Sequence, residues 1–171
     1  VAEQTVYNYF PTKEDLVYWR LESFERELLA AIRERATGVP VLEAFWQWML
    51  RPHGLLDEQP VPQGLAPMAR VIEESAALRA REQQVFERYT VSLADLIAKE
   101  TGAERSAIEP WVAANALMGL HRALVHYARS RVLGGARNPG LARDLRARAE
   151  EARAMLATGL RDYARKAPPP A

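Results

Sequence analysis

Residues 1–16 read VAEQTVYNYFPTKEDL. Val1, Val6 and Phe10 are apolar at helix-compatible spacing and can face a core. Glu3, Gln4, Thr5, Tyr7, Asn8 and Tyr9 fill the remaining surface with hydrogen-bonding groups. The segment ends at Phe10-Pro11, because the residue before a proline avoids helical dihedrals. Thr12 then reads as an N-cap, with Asp15 three residues on and Lys13 at the start of the next helix. A short helix carrying amides, a hydroxyl, tyrosines and a nearby lysine suits a major-groove reader. The Gln4 amide can pair with adenine, and Glu3 can accept from cytosine. Lys13 beside a helix N-terminus is an arrangement that binds phosphate. The same pattern also fits a short amphipathic packing helix, so chemistry alone leaves both readings open.

The pattern resembles the end of the helix-turn-helix in TetR-family transcriptional regulators. There a recognition helix V-x-x-x-T-[LVF]-Y-x-[YH]-F is followed by a turn and by K-x-x-L, which opens a connecting helix. Val1, Thr5, Val6, Tyr7, Tyr9, Phe10, Lys13 and Leu16 fit it. The resemblance implies that Thr5, Tyr9 and Lys13 touch backbone phosphates. It implies that Glu3, Gln4 and Tyr7 face bases, with Asn8 at the phosphate edge and Val1, Val6, Phe10 and Leu16 as apolar supports. It also implies two further helices and a turn ahead of Val1, since the first helix of such a unit crosses the DNA backbone and braces the reader. A chain starting at Val1 is expected to expose Val6 and Phe10 and not to bind an operator. A regulator whose N-terminus lies ahead of Val1 is the simpler expectation.

Outward from this segment, helical periodicity dominates and no Asn-Gly or Asp-Gly hairpin turn occurs. The helix opened by Thr12 is expected to reach residue 36, with Leu16, Trp19, Phe24, Leu28 and Ile32 near one face and Gly38 as its stop. Residues 41–50 form a short aromatic helix with Phe45, Trp46 and Trp48. Residues 51–67 hold four prolines and two glycines and read as a loop, a possible gate or a plain connector. A short helix follows over 65–74. Ser75 then caps a long helix over 76–101, stopped by Gly102. Another runs over 106–133 with Pro110 in its first turn; at about 1.5 Å per residue it is roughly 40 Å long. Asn138 and Pro139 open a last helix reaching residue 166. The expected fold is all-α: a partial helix-turn-helix and connecting helix over 1–36, a ligand-binding and dimerisation domain over 37–167, and a disordered tail over 168–171.

Composition narrows the function. The 171 residues are 49% hydrophobic and 26% charged, enough apolar surface for a core and too little charge for disorder. A net charge of +1 by itself indicates neither nucleic acid nor membrane. Without cysteine there is no disulfide framework, thiolate metal site or cysteine nucleophile. His53, His121 and His126 make no paired-ligand motif. No apolar run is long enough for a membrane helix and the start is not a signal peptide, so a cytoplasmic protein is expected. The Glu73–Glu74 and Glu150–Glu151 pairs are adjacent and splay to different helix faces, and no nucleophile–base–orienter set is visible, so an enzyme is not expected. No cofactor or metal is indicated.

The resemblance implies that the last two helices pair with their copies in a four-helix-bundle homodimer. The sequence is compatible: Ala113, Ala116, Gly119 and Ala123 are small, Leu117, Leu120, Leu124 and Tyr127 lie close by, and Leu156, Leu160 and Tyr163 share a stripe on the last helix. The same stripes equally suit the chain's own core. Aromatic and methionine residues with a few polar groups among them suggest a ligand pocket: Phe24, Trp46, Met49, Met68, Ile72, Phe86, Tyr89 and Leu93. Asn115, Met118 and Arg122 fall at i, i+3 and i+7, where an amide and a guanidinium can orient a carbonyl or carboxylate. Packing and pairing roles compete with that reading, and His121 and His126 are open to either. The function expected is a DNA-binding repressor released from a double-stranded operator by a small hydrophobic or amphipathic effector. The alternative is a helical dimerisation and ligand-binding module that does not bind DNA.

Overall fold

The structure is a computed structural model that describes residues 21–52, 54–57, 65–104, 106–137, 139–160 and 166. The described residues form six helices and no strand: α1 (Leu21–Arg33), α2 (Val41–Leu50), α3 (Leu65–Glu74), α4 (Ala76–Thr101), α5 (Glu109–Leu133) and α6 (Gly140–Leu160). None of them is long and apolar enough to cross a membrane. The short helix expected ahead of Phe10-Pro11, the Thr12 cap, the Asn138 cap and the tail over 168–171 lie outside the described residues.

Local chemistry accounts for most of the boundaries. The end of α1 is tied off by Arg35, whose guanidinium donates to the Ile32 carbonyl and, through Nε, to the Val39 carbonyl at 3.0 Å. The bond to Ile32 occupies an oxygen that a helix terminus otherwise leaves open, and the bond to Val39 pins the following connection to the end of α1. Gly38 then turns the chain at a φ of 82°, a left-handed conformation that disfavours a Cβ. Seven of the ten residues of α2 are buried, so this helix is apolar nearly all round and sits inside the protein. Ser75 caps α4 by accepting from the Leu78 N–H at 3.3 Å. Gly102 ends it in the left-handed conformation, its N–H returning to the Ala98 carbonyl.

The helix expected over 106–133 begins at Glu109. A start at 106 would set Pro110 past the first turn, where its missing N–H would break an intrahelical bond. Starting at Glu109 puts the proline where no donor is needed.

The short 102–108 connection makes α4 and α5 antiparallel neighbours, as Glu82 facing Arg129 and Phe86 facing His121 require. α6 packs on α5, α3 lies against both α4 and α5, α1 packs on α2 and α4, and α2 reaches α6. The core joins α1, α2, α4, α5 and α6: Leu28 and Ile32 from α1, Phe45 and Met49 from α2, Tyr89, Leu93 and Ile97 from α4, Leu117 and Met118 from α5, and Leu145 and Ala149 from α6. At the rim, Arg153 of α6 pairs with Glu43 of α2 at 2.5 Å and covers the Trp46 ring at 4.8 Å. Arg146 donates to the Leu56 carbonyl at 3.1 Å, holding the start of the 51–64 connection against α6.

Candidate ligand site

Two features adjoin along α4 and α5. The first is a closed cluster of rings. Phe24 of α1 stacks on Tyr89 of α4 with centroids 5.3 Å apart, and meets Trp48 of α2 edge-on at 4.6 Å. It also meets His121 of α5 edge-on at 5.0 Å. Trp48 and Phe86 complete the cage around His121, each with its centroid 5.7 Å from the imidazole. Four helices therefore meet at one histidine. Burial, and then the charge of Arg51, lower its pKa from 6.5 to about 3, so the imidazole is neutral at ordinary pH. Its Nδ1 and the indole Nε1 of Trp48 are buried and have no hydrogen-bond partner among the described residues.

The second feature is an open cleft of about 620 Å³ between α3, α4 and α5. Its volume falls in the range of roughly 300–1,000 Å³ common for small-molecule sites. Phe86, with Ala123 and Val125, forms the apolar part of its wall, and Phe86 also borders the ring cluster. Gly119 and Ala123 keep the α5 side low, and a Cβ at Gly119 would meet no atom within 4 Å. The polar lining is uneven. Arg79, Arg122 and Arg129 face Glu73 and Glu82. Glu82 is engaged by Arg129, and the Arg79 guanidinium donates to the Glu73 carbonyl. Arg122 makes no ion pair among the described residues, and His126 stands one turn further along α5.

The residues singled out in the sequence divide among several places. Phe86 and Arg122 line the cleft. Phe24, Phe86 and Tyr89 belong to the ring cluster. Met49, Leu93 and Met118 are fully enclosed in the core, Trp46 is buried beneath Arg153, and Ile72 is buried on α3. Met68 is 42% exposed. Asn115 is exposed and donates to the Trp111 carbonyl at 2.8 Å, so Asn115, Met118 and Arg122 do not converge on one site.

Of the stripe expected to meet a second subunit, Ala113, Leu117, Leu120, Leu124 and Leu160 lie in the chain's own core. Ala116, Tyr127 and Leu156 pack against that core. Gly119, with Ala123, opens onto the cleft. Tyr163 lies outside the described residues, as do Glu3, Gln4, Thr5, Tyr7, Asn8, Tyr9 and Lys13. Trp48 was visible in the sequence only as one aromatic of the 41–50 helix, and Arg79 and Arg129 carried no signal, because nothing local sets them apart from other surface residues of their helices. Comparison with models of known protein families, with curated proteins and with solved structures finds no match. Among the described residues, no group of histidine and carboxylate side chains is arranged to hold a metal ion.

Proposed function

We propose that this chain is a TetR-type transcriptional regulator, a repressor that binds a double-stranded operator as a homodimer and releases it when a small amphipathic effector binds. The observation that carries the reading is the V-x-x-x-T-V-Y-N-Y-F-P-T-K-E-D-L pattern of residues 1–16, which stands just ahead of α1 in the sequence. What supports a link to ligand is the seat of α1. Its Phe24 rests on Tyr89 of α4 and His121 of α5, and His121 in turn touches Phe86 at the cleft wall. A ligand that shifts Phe86 thereby acts on the packing of α1, the first described helix after that pattern. Release further requires that the ligand prefer the released arrangement, since equal affinity for both would shift nothing.

Trp111 and Val112 on α5 and Met155 on α6 are large apolar side chains open to solvent. They are the residues we assign to the contact with the second subunit. A two-fold dimer sets two readers one helical turn apart on DNA, as this class of motif needs.

The test is selection of binding sites from random duplexes by the protein carrying a complete helix-turn-helix, followed by a gel shift across a salt series. Enrichment of a palindrome is expected, with binding lost in Tyr7→Ala. Lys13→Ala should weaken operator and non-specific DNA alike and lower the salt slope by about one. A folded dimer that enriches no sequence and binds no DNA at low salt would overturn the proposal.

A further inference from the structure

We infer that the cleft between α3, α4 and α5 binds an organic anion, a carboxylate or sulfonate on a flat apolar body, with Arg122 as the group that holds its charge. The role of that anion as effector rests on the regulator reading; the binding itself does not.

The argument is one of unmatched charge beside apolar surface. Once Arg129 has engaged Glu82, the cleft retains Arg79 and Arg122 against Glu73 alone. Arg79 is turned to a backbone carbonyl of α3, which leaves Arg122, among the described residues, as the cleft's fork of donors without an ion pair. A guanidinium presents its N–H groups in the plane and spacing that two oxygens of a carboxylate or sulfonate accept. His126, at i+4 from Arg122, lies on the same side of α5 and adds an imidazole to the same end. The apolar body has its own place. Gly119 and Ala123 leave the α5 wall without bulk, and the Phe86 ring closes the inner side. A ring set against Phe86 would press on the side chain that contacts His121 and Tyr89.

Two fluorescent probes separate the charge from the body: 8-anilinonaphthalene-1-sulfonate, and N-phenyl-1-naphthylamine, which has the same rings without the sulfonate. The expected result is saturable binding of the sulfonate to the chain. Arg122→Ala should weaken it about ten-fold or more, the loss usual for a charged hydrogen bond, and leave the neutral amine unaffected. Arg122→Glu should abolish sulfonate binding. Arg143→Ala, an exposed arginine at the start of α6 and outside the cleft, should change nothing. Because Arg122 is exposed and makes no ion pair among the described residues, these variants should keep the wild-type circular dichroism and melting point. Sulfonate affinity unchanged in both Arg122 variants, or equal losses for the two probes, would overturn the inference. No DNA enters this measurement. An anion site that depends on Arg122 in a protein that binds no operator would sink the regulator reading alone. Operator binding in a protein whose sulfonate affinity ignores Arg122 would sink the anion site alone.

Discussion

The ring of Phe24 on α1 meets that of His121 on α5 edge-on, with centroids 5.0 Å apart and planes at 67°. This contact fixes the first described helix to the centre of the bundle through a histidine that folding keeps uncharged. Burial is the main reason, and the nearby Arg51 charge adds to it.

The histidine makes stability depend on pH in a definite direction. Its pKa is about 3 when folded and 6.5 when exposed, so between those values the unfolded chain binds the extra proton. Stability from this group is therefore constant above the unfolded pKa and falls as pH drops below it, by about 1.4 kcal/mol per pH unit until the folded pKa is reached. Urea denaturation of the wild type and of His121→Leu, compared between about pH 4 and pH 7, should give a difference that shrinks as the solution becomes more acidic. Carboxylates titrate in both proteins and cancel. Parallel stability curves would refute a buried neutral histidine.

Arg35 and Glu100 join the end of α1 to the end of α4 through a contact of 2.6 Å, with their side chains only 3% and 18% exposed. Arg35→Ala is expected to cost about 3 kcal/mol, since it strands the Glu100 carboxylate and the Ile32 helix-end carbonyl and loses the bond to Val39. Replacing both residues, as Arg35→Met with Glu100→Leu, should recover part of the loss but not all, because the bonds to Ile32 and Val39 are still missing. Denaturant midpoints of the two singles and the double measure this, and strict additivity would mean that the pair does not interact.

Gly119 sits within α5 with open space where its side chain would be. Gly119→Ala should stabilise the protein by about 0.5–1 kcal/mol, the usual gain from replacing glycine inside a helix. Gly119→Leu should fold as well as the alanine variant, yet fill part of the cleft and weaken the sulfonate probe. Thermal melts read the first effect and fluorescence titration the second. A leucine variant that binds the probe normally would place the probe elsewhere.

The sequence by itself determined both ends of three of the six described helices, while α1 ends at Arg33 rather than 36 and α5 starts at Glu109 rather than 106. Residues 41–50, 65–74 and 76–101 are helical as their periodicity and punctuation predict. The Ser75 cap and the Gly102 stop act within one turn of their own positions, so nothing distant is needed to read them. Which side of each helix is covered was decided by tertiary packing. The Leu117, Leu120 and Leu124 stripe of α5 is equally suited to a partner subunit and to the chain's own core, and it lies in the core. Periodicity fixes the angles between side chains around a helix, but not which angle faces a neighbour. Helix α5 has α3, α4 and α6 packed about it, and their placement separates enclosed Met118 from exposed Asn115 and Arg122. The neutrality of His121 and the pairing of Arg129 with Glu82 have the same origin. Both depend on residues from other helices, brought within a few ångströms only when the bundle closes.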